Sequence, residues 1–145
     1  MRVQTYSDIY LADVARLIEN FHEEAVGEYD GVIDKAAILE TIKTADHTNA
    51  FLLIVDEVAQ GILYGTRLRS PMNGGEIFQE VMWYVNKPFR AHGVRLLKEV
   101  EKHLKSDGVS TMIMAVLENS KTEKLKSFYT RLGFKPLETH FIRSL

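Results

Sequence analysis

Apolar residues along this chain change their spacing several times, and each change marks a new element. Arg2 to Tyr6 alternates as a short strand does. Ser7 then precedes a helix whose apolar positions, Leu11, Val14, Leu17, Ile18 and Phe21, recur at helical spacing and run out around Glu24 to Gly27. Gly27-Glu-Tyr-Asp-Gly31 reads as a turn, and Asp34 is placed to cap a second helix carrying Ile38, Leu39 and Ile42. Ala50 to Asp56 is a continuous apolar run, the pattern of a strand covered on both faces. Asp56-Glu57 turns it into Val58–Arg69, whose alternation at Val58, Gln60, Ile62 and Tyr64 predicts a hairpin. Ser70 to Gly75 is a loop, and Glu76 to Val85 is the next strand.

That strand turns at Lys87-Pro88 and enters a helix near Gly93, with Val94, Leu97, Val100 and Leu104 on its apolar face and Asp107-Gly108 at its end. Thr111 to Val116 predicts a second buried strand. Ser120-x-x-Glu123 has the form of a capping box opening a helix with Leu125, Phe128, Tyr129 and Leu132, closed by Gly133. Two closing strands, Phe134–Thr139 and Phe141–Ser144, complete the reading. The order β-α-α-β-β-β-α-β-α-β-β predicts one mixed sheet with helices on its faces.

Composition narrows the function. The 145 residues are 46% hydrophobic and 26% charged, which fits one globular domain over 1–145. A net charge of -2 with no basic stripe argues against a nucleic-acid partner. There is no cysteine, which excludes a disulfide framework and a cysteine acyl-enzyme, and the five histidines lack the spacing of a metal motif. No apolar run is long enough to span a bilayer and the first residues lack a signal-peptide pattern, so a cytoplasmic protein without a metal or a membrane partner is the expectation.

The stretch from Val81 to Leu96 carries the chemistry. A strand feeding a helix through a short Arg/Gly turn presents free backbone N–H groups and the positive end of a helix dipole, which together suit a pyrophosphate. Gly93 allows close approach and Arg90 offers a charge-assisted contact. Taken alone, the same residues also describe an ordinary strand–helix connection with a surface arginine.

Tyr84-Val-Asn-Lys-Pro-Phe-Arg-Ala-His-Gly-Val94 is similar to the segment with which the GCN5-related N-acetyltransferase superfamily grips coenzyme A. Phe128-Tyr129 with Leu132-Gly133-Phe134 is similar to that family's tyrosine-containing helix end. In element order the chain resembles the family over nearly its full length. It departs from the pattern at Arg95, where the family has Gly or Ala, at the early Leu96-Leu97 pair, and at Pro88, one position late.

The resemblance implies an α/β (α+β) fold, with a single mixed, mostly antiparallel sheet of six to seven strands flanked by four helices. It also implies an enzyme that moves the acetyl group of acetyl-CoA directly to a primary amine, with no covalent acyl-enzyme and no metal. Arg90, Ala91, His92, Gly93, Val94 and Arg95 would hold the pyrophosphate, and Trp83, Tyr84 and Val85 the pantetheine arm. Asn119 would touch the arm or the acceptor, although it also reads as a turn residue. Tyr129 would be the general acid for the departing thiolate, although its place beside Leu125 and Leu132 equally suits a core aromatic. Glu80, on one strand face with Met82 and Tyr84, is the candidate base, with Glu76 in reserve. The acceptor would be a small-molecule or peptide amine. The four carboxylates within His22–Asp30 would favour a cationic one, or would simply mark a solvated helix end. A non-catalytic CoA-binding or protein-interaction module on the same scaffold remains open, as does a homodimer paired through C-terminal edge strands.

Overall fold

A computed structural model describes residues 1–26, 33–117, 121–143 and 145. Its described elements run β1 (Arg2–Thr5), α1 (Leu11–Phe21), α2 (Lys35–Thr44), β2 (Ala50–Val55), β3 (Val58–Arg69), β4 (Glu76–Val85), α3 (Gly93–Ser106), β5 (Thr111–Ile113) and α4 (Thr122–Arg131). The strands form one sheet in the order β1-β2-β3-β4-β5, antiparallel throughout except for the parallel pair β4–β5. A parallel neighbour needs a crossover, and α3 supplies it.

Both faces of the sheet are covered, as the unbroken apolar run of β2 requires. Leu52 and Ile54 pack with Ile62, Tyr64, Met82 and Tyr84 against α1, through Val14, Leu17, Ile18 and Phe21. Phe51 and Leu53 point the other way and join Leu63, Phe78 and Val85 against Leu96, Leu97, Val100 and Leu104 of α3.

Local signals in the sequence are realised closely. The Asp34 carboxylate accepts from the N–H groups of Ala36 (2.8 Å) and Ala37 (3.2 Å) at the start of α2. Asp56 and Glu57 turn the β2–β3 hairpin with φ of 50° and 61°. Helix α4 ends in a left-handed Gly133 (φ 90°), with the Phe134 N–H on the Tyr129 carbonyl at 3.0 Å and the Gly133 N–H on that of Thr130 at 3.1 Å. This Schellman closure brings Phe134 back against Tyr129, ring centroids 5.4 Å apart.

Three expectations are corrected. The sheet has five strands among the described residues, not six to seven, because 134–143 forms no strand. Pro136 has no N–H to give a ladder, and the flanking residues are exposed. β5 is shorter than Thr111–Val116 and only half covered, since its pairing with β4 stops at Ile113. Ser7 makes no side-chain cap; a 3-10 turn, Asp8–Tyr10, intervenes before α1. The turn expected at Gly27–Gly31 and Ser120 of the expected capping box lie outside the described residues.

Candidate active site

The site forms where β4 and β5 part. Their parallel pairing covers Ile77–Thr111, Phe78–Met112 and Gln79–Ile113 and then ends. Glu80 is the next residue on β4, and its Oε2 accepts from the Ala115 N–H at 3.1 Å, closing the apex of the fork. Tyr129 on α4 donates its hydroxyl to the carbonyl of the same Ala115, also at 3.1 Å. Two side chains from different elements thus converge on one backbone residue.

Electrostatics follow from that placement. Burial pushes the Glu80 carboxyl up to about 7, against the opposing effect of the Ala115 N–H. Burial and then the charge of Glu80 push the Tyr129 hydroxyl well above the usual phenol value. Tyr129 is 7% exposed and has aromatic neighbours in Trp83, Phe128 and Phe134. It is a core aromatic by packing, and it also presents a protonated hydroxyl at the fork.

Glu80 does not share a face with Met82 and Tyr84. In the β3–β4 ladder Glu80 lies opposite Gly65 and Met82 opposite Tyr64, so Val81 is an extra, bulged residue. The bulge reverses the alternation: Glu80 turns to the α3 and α4 side, while Met82 and Tyr84 turn to α1. The reserve carboxylate, Glu76, lies at the start of β4, opposite Arg69 and exposed, and its nearest cation is Arg67 at 4.0 Å.

The residues expected to line the cofactor slot divide the same way. Trp83 and Val85 lie on the α3 side, with Trp83 against Phe128 and Tyr129 at centroid distances of 6.0 Å each. The Tyr84 side chain lies on the opposite face, where its hydroxyl donates to Glu24 at 2.5 Å. Burial and the bond to Glu24 raise that hydroxyl to about 12. Asn119 lies outside the described residues.

Beyond β4, Lys87–His92 forms a 3-10 turn and Gly93 opens α3 with no side-chain cap. Gly93 is buried, His92 and Val94 are half-buried, and Ala91 and Arg95 are exposed. Arg90 is engaged. Its Nη2 donates to both Glu24 oxygens (2.7 and 2.6 Å) and its Nε to the Val85 carbonyl (3.1 Å), with the guanidinium 5.6 Å from the centre of the Tyr84 ring. Lys87 and Lys121 approach the same carboxylate at 3.8 Å each. Burial works against the Glu24 charge, but the hydrogen bonds from Arg90 and Tyr84 and the charges of Arg90 and Lys87 hold its pKa down at about 2.

Glu24 sits in a π-helical turn, His22–Val26, that extends α1. It belongs to the segment expected to form an acidic mouth, yet three cations surround it; Glu28 and Asp30 lie outside the described residues. Sequence reasoning missed this hub because its partners are far apart in the chain, Arg90 66 residues from Glu24 and Lys121 farther still. A cavity of about 360 Å³ lies beside it, lined in part by Asn20, Glu23, Gln60 and Asn86. Asn86 links Asn20 (3.0 Å) and Gln60 (2.9 Å) across its floor. No group of acidic, histidine or cysteine side chains among the described residues could hold a metal ion, and no described helix is long and apolar enough to cross a membrane.

The sequence matches no family model and no curated protein. Among solved structures, its fold matches a ribosomal-protein-alanine N-acetyltransferase from Brucella melitensis biovar Abortus 2308, with a TM-score of 0.76, 13% identity and 100% of both chains covered. A possible acetyltransferase from Clostridium difficile 630 matches with a TM-score of 0.77 and 15% identity, over 99% of this chain and 96% of that one. The aminoglycoside acetyltransferase AAC(6')-Iy, solved with a bisubstrate analogue of CoA and acetylneamine, matches with a TM-score of 0.72 and 19% identity, over 99% and 97%. The chain therefore has the fold of the GCN5-related N-acetyltransferases.

Proposed function

We propose that this protein is an acetyl-CoA-dependent N-acetyltransferase acting on a primary amine. The observation that carries the reading is the convergence of Glu80 and Tyr129 on Ala115 at the point where β4 and β5 part. A carboxyl near neutrality and a phenol that keeps its proton, held at one fork, are the base and acid that amide formation from a thioester requires.

Acetyl-CoA fits the residues in two places. The uncapped start of α3 with Gly93 suits its pyrophosphate, and the fork beside Trp83 suits its pantetheine arm. Arg90 reaches that anion only in competition with Glu24, which already holds its guanidinium. As co-substrate, acetyl-CoA supplies the acetyl group and the thiolate leaving group.

Glu80 takes a proton from the ammonium form of the acceptor, and the amine nitrogen bonds to the acetyl carbon. The C–S bond breaks with its electron pair going to sulfur. A thiolate forming at the fork is a stronger acceptor than the Ala115 carbonyl, so the Tyr129 O–H turns to it and gives up its proton. The second proton, which the nitrogen sheds in becoming an amide, restores Tyr129 through solvent, and the proton on Glu80 leaves to solvent to reset the base. No side chain is acylated, in keeping with a chain that has no cysteine.

A cationic amine acceptor is the class we favour. Glu23, exposed at the rim of the Asn20–Asn86–Gln60 cavity, supplies a carboxylate without the cations that occupy Glu24. The AAC(6')-Iy complex, with its acetylneamine analogue, supports the same class by its fold alone. The test is calorimetric titration with acetyl-CoA followed by thiol release across diamines, polyamines, aminoglycosides and lysyl peptides. Thiol release with any of these sustains the reading. Tight binding with no release from the whole panel would leave a CoA-binding module without catalysis.

A further inference from the structure

Trp83 is the only tryptophan in the chain, and its indole N–H is an anomaly. Nε1 is shut off from solvent and has no hydrogen-bond partner among the described residues. Buried N–H groups are almost always paired, because leaving one unpaired sacrifices the bonds it made to water. The neighbouring rings do not satisfy it. Those of Phe128 and Tyr129, with centroids 6.0 Å away, are tilted only 32° and 31° from the indole plane, so neither turns its face toward an N–H that lies in that plane.

The place of this ring gives the orphan donor a use. Trp83 lies on β4 beyond the last rung shared with β5, in the stretch left without a strand neighbour on that side. Its Cζ2 is 3.7 Å from where a Cβ on Gly93 would stand, at the first residue of α3. Its ring lies 6.0 Å, centroid to centroid, from that of Tyr129, whose hydroxyl is at the fork. The indole thus spans the distance between the turn that suits a pyrophosphate and the hydroxyl that suits a thiolate. The arm joining those two groups in coenzyme A carries two secondary amides and ends in a thioester, all with carbonyl acceptors.

We propose that Trp83 is a positioning residue whose Nε1–H donates to a carbonyl of the pantetheine arm. This rests on the cofactor reading above and assigns to a side chain a contact that β4 backbone amides alone would not make. Satisfying the N–H only when the arm is present makes the bond selective for the arm over the nucleotide. It also fixes the arm's depth, and so the sulfur's distance from Tyr129.

The test compares coenzyme A with 3′-phosphoadenosine 5′-diphosphate, which keeps the nucleotide and pyrophosphate and lacks the arm. Trp83→Phe removes the N–H and keeps an aromatic face for Phe128 and Tyr129. By calorimetry the variant is expected to bind coenzyme A about fivefold more weakly, the loss typical of one hydrogen bond, and the diphosphate as tightly as wild type does. In the wild-type protein, the lone indole's emission is expected to shift with coenzyme A and to stay put with the diphosphate, a readout that needs no variant. Equal weakening for both ligands, no weakening for either, or an identical emission response to both would overturn the proposal. A wild-type protein that binds neither ligand removes the cofactor reading itself, and this inference with it.

Discussion

Glu80 and Tyr129 hold opposite polar atoms of one residue, the carboxylate on the N–H of Ala115 and the hydroxyl on its carbonyl, each at 3.1 Å. This places the proposed base and the proposed acid a single backbone residue apart without letting them bond each other. Direct bonding would share one proton between them. Separation by Ala115 lets burial act on each group: one is poised near neutrality, and the other is kept protonated.

Tyr129→Phe keeps the packing with Trp83, Phe128 and Phe134 and removes only the hydroxyl. Turnover is expected to fall by about 100-fold, while the dissociation constant for acetyl-CoA stays nearly unchanged. Steady-state rates beside calorimetry separate the two. A full rate in the variant would leave Tyr129 as core alone.

Glu80→Gln keeps an oxygen for the Ala115 N–H and removes the titration. The wild-type rate is expected to rise with pH through an apparent pKa of about 7, and the variant to lose that limb. Stability carries the same signature. A carboxyl raised in the folded state costs nothing while both states are protonated. The penalty grows as pH climbs from the ordinary carboxylate value, as the unfolded chain ionises first, and it is complete above about 7. Glu80→Gln should therefore be more stable than wild type by about 3 kcal/mol at pH 8 and indistinguishable near pH 4, as read by denaturant unfolding.

Much of this arrangement is legible in the sequence, because its causes are local. The Asp34 cap, the Asp56-Glu57 hairpin, the start of α3 at Gly93 and the Gly133 closure each depend on a few adjacent residues. Tyr129 is fixed by the helical period of α4 and by the closure that follows it. The facing of Glu80 is different. Strict alternation groups it with Met82 and Tyr84, and only the register against β3 shows that Val81 is extra. The hub at Glu24 is longer-range still. It requires the end of α1, the end of β4 and the residue before α4 to meet, and no periodicity announces that. The closing strands fail for another reason: a strand needs a paired edge as well as a run of residues to form it, and Pro136 weakens any ladder that 134–139 could make.

The pairing of Arg90 with Glu24 makes a prediction with two signs. If Arg90 grips the pyrophosphate, Glu24 is its competitor. Arg90→Ala is expected to weaken acetyl-CoA binding by about tenfold, and Glu24→Gln, which releases the guanidinium, to strengthen it. The double variant decides whether the loss in Arg90→Ala comes from the missing contact or from an unneutralised Glu24 carboxylate. Full recovery of affinity in the double variant would assign Arg90 to neutralising Glu24 and leave the anion to the α3 amides.

Gly65 tests the bulge that aims Glu80. It lies opposite Glu80 in the ladder, and a Cβ there would stand 2.5 Å from the Gln79 carbonyl oxygen and 2.5 Å from Cζ of Phe78. Neither can yield cheaply: the first is backbone, and the ring of Phe78 is fully buried in the α3-side core. Gly65→Ala should therefore push β3 and β4 apart at the rung that sets the bulge, at a cost of about 2 kcal/mol, typical of overpacking. In a chain of this size that lowers the melting temperature by roughly 4–8 °C. The same displacement moves Glu80 away from Ala115, so turnover should fall at temperatures where the variant is still fully folded. A melting temperature lowered with turnover intact would show that the bulge tolerates the shift and that Glu80 does not depend on this rung for its aim.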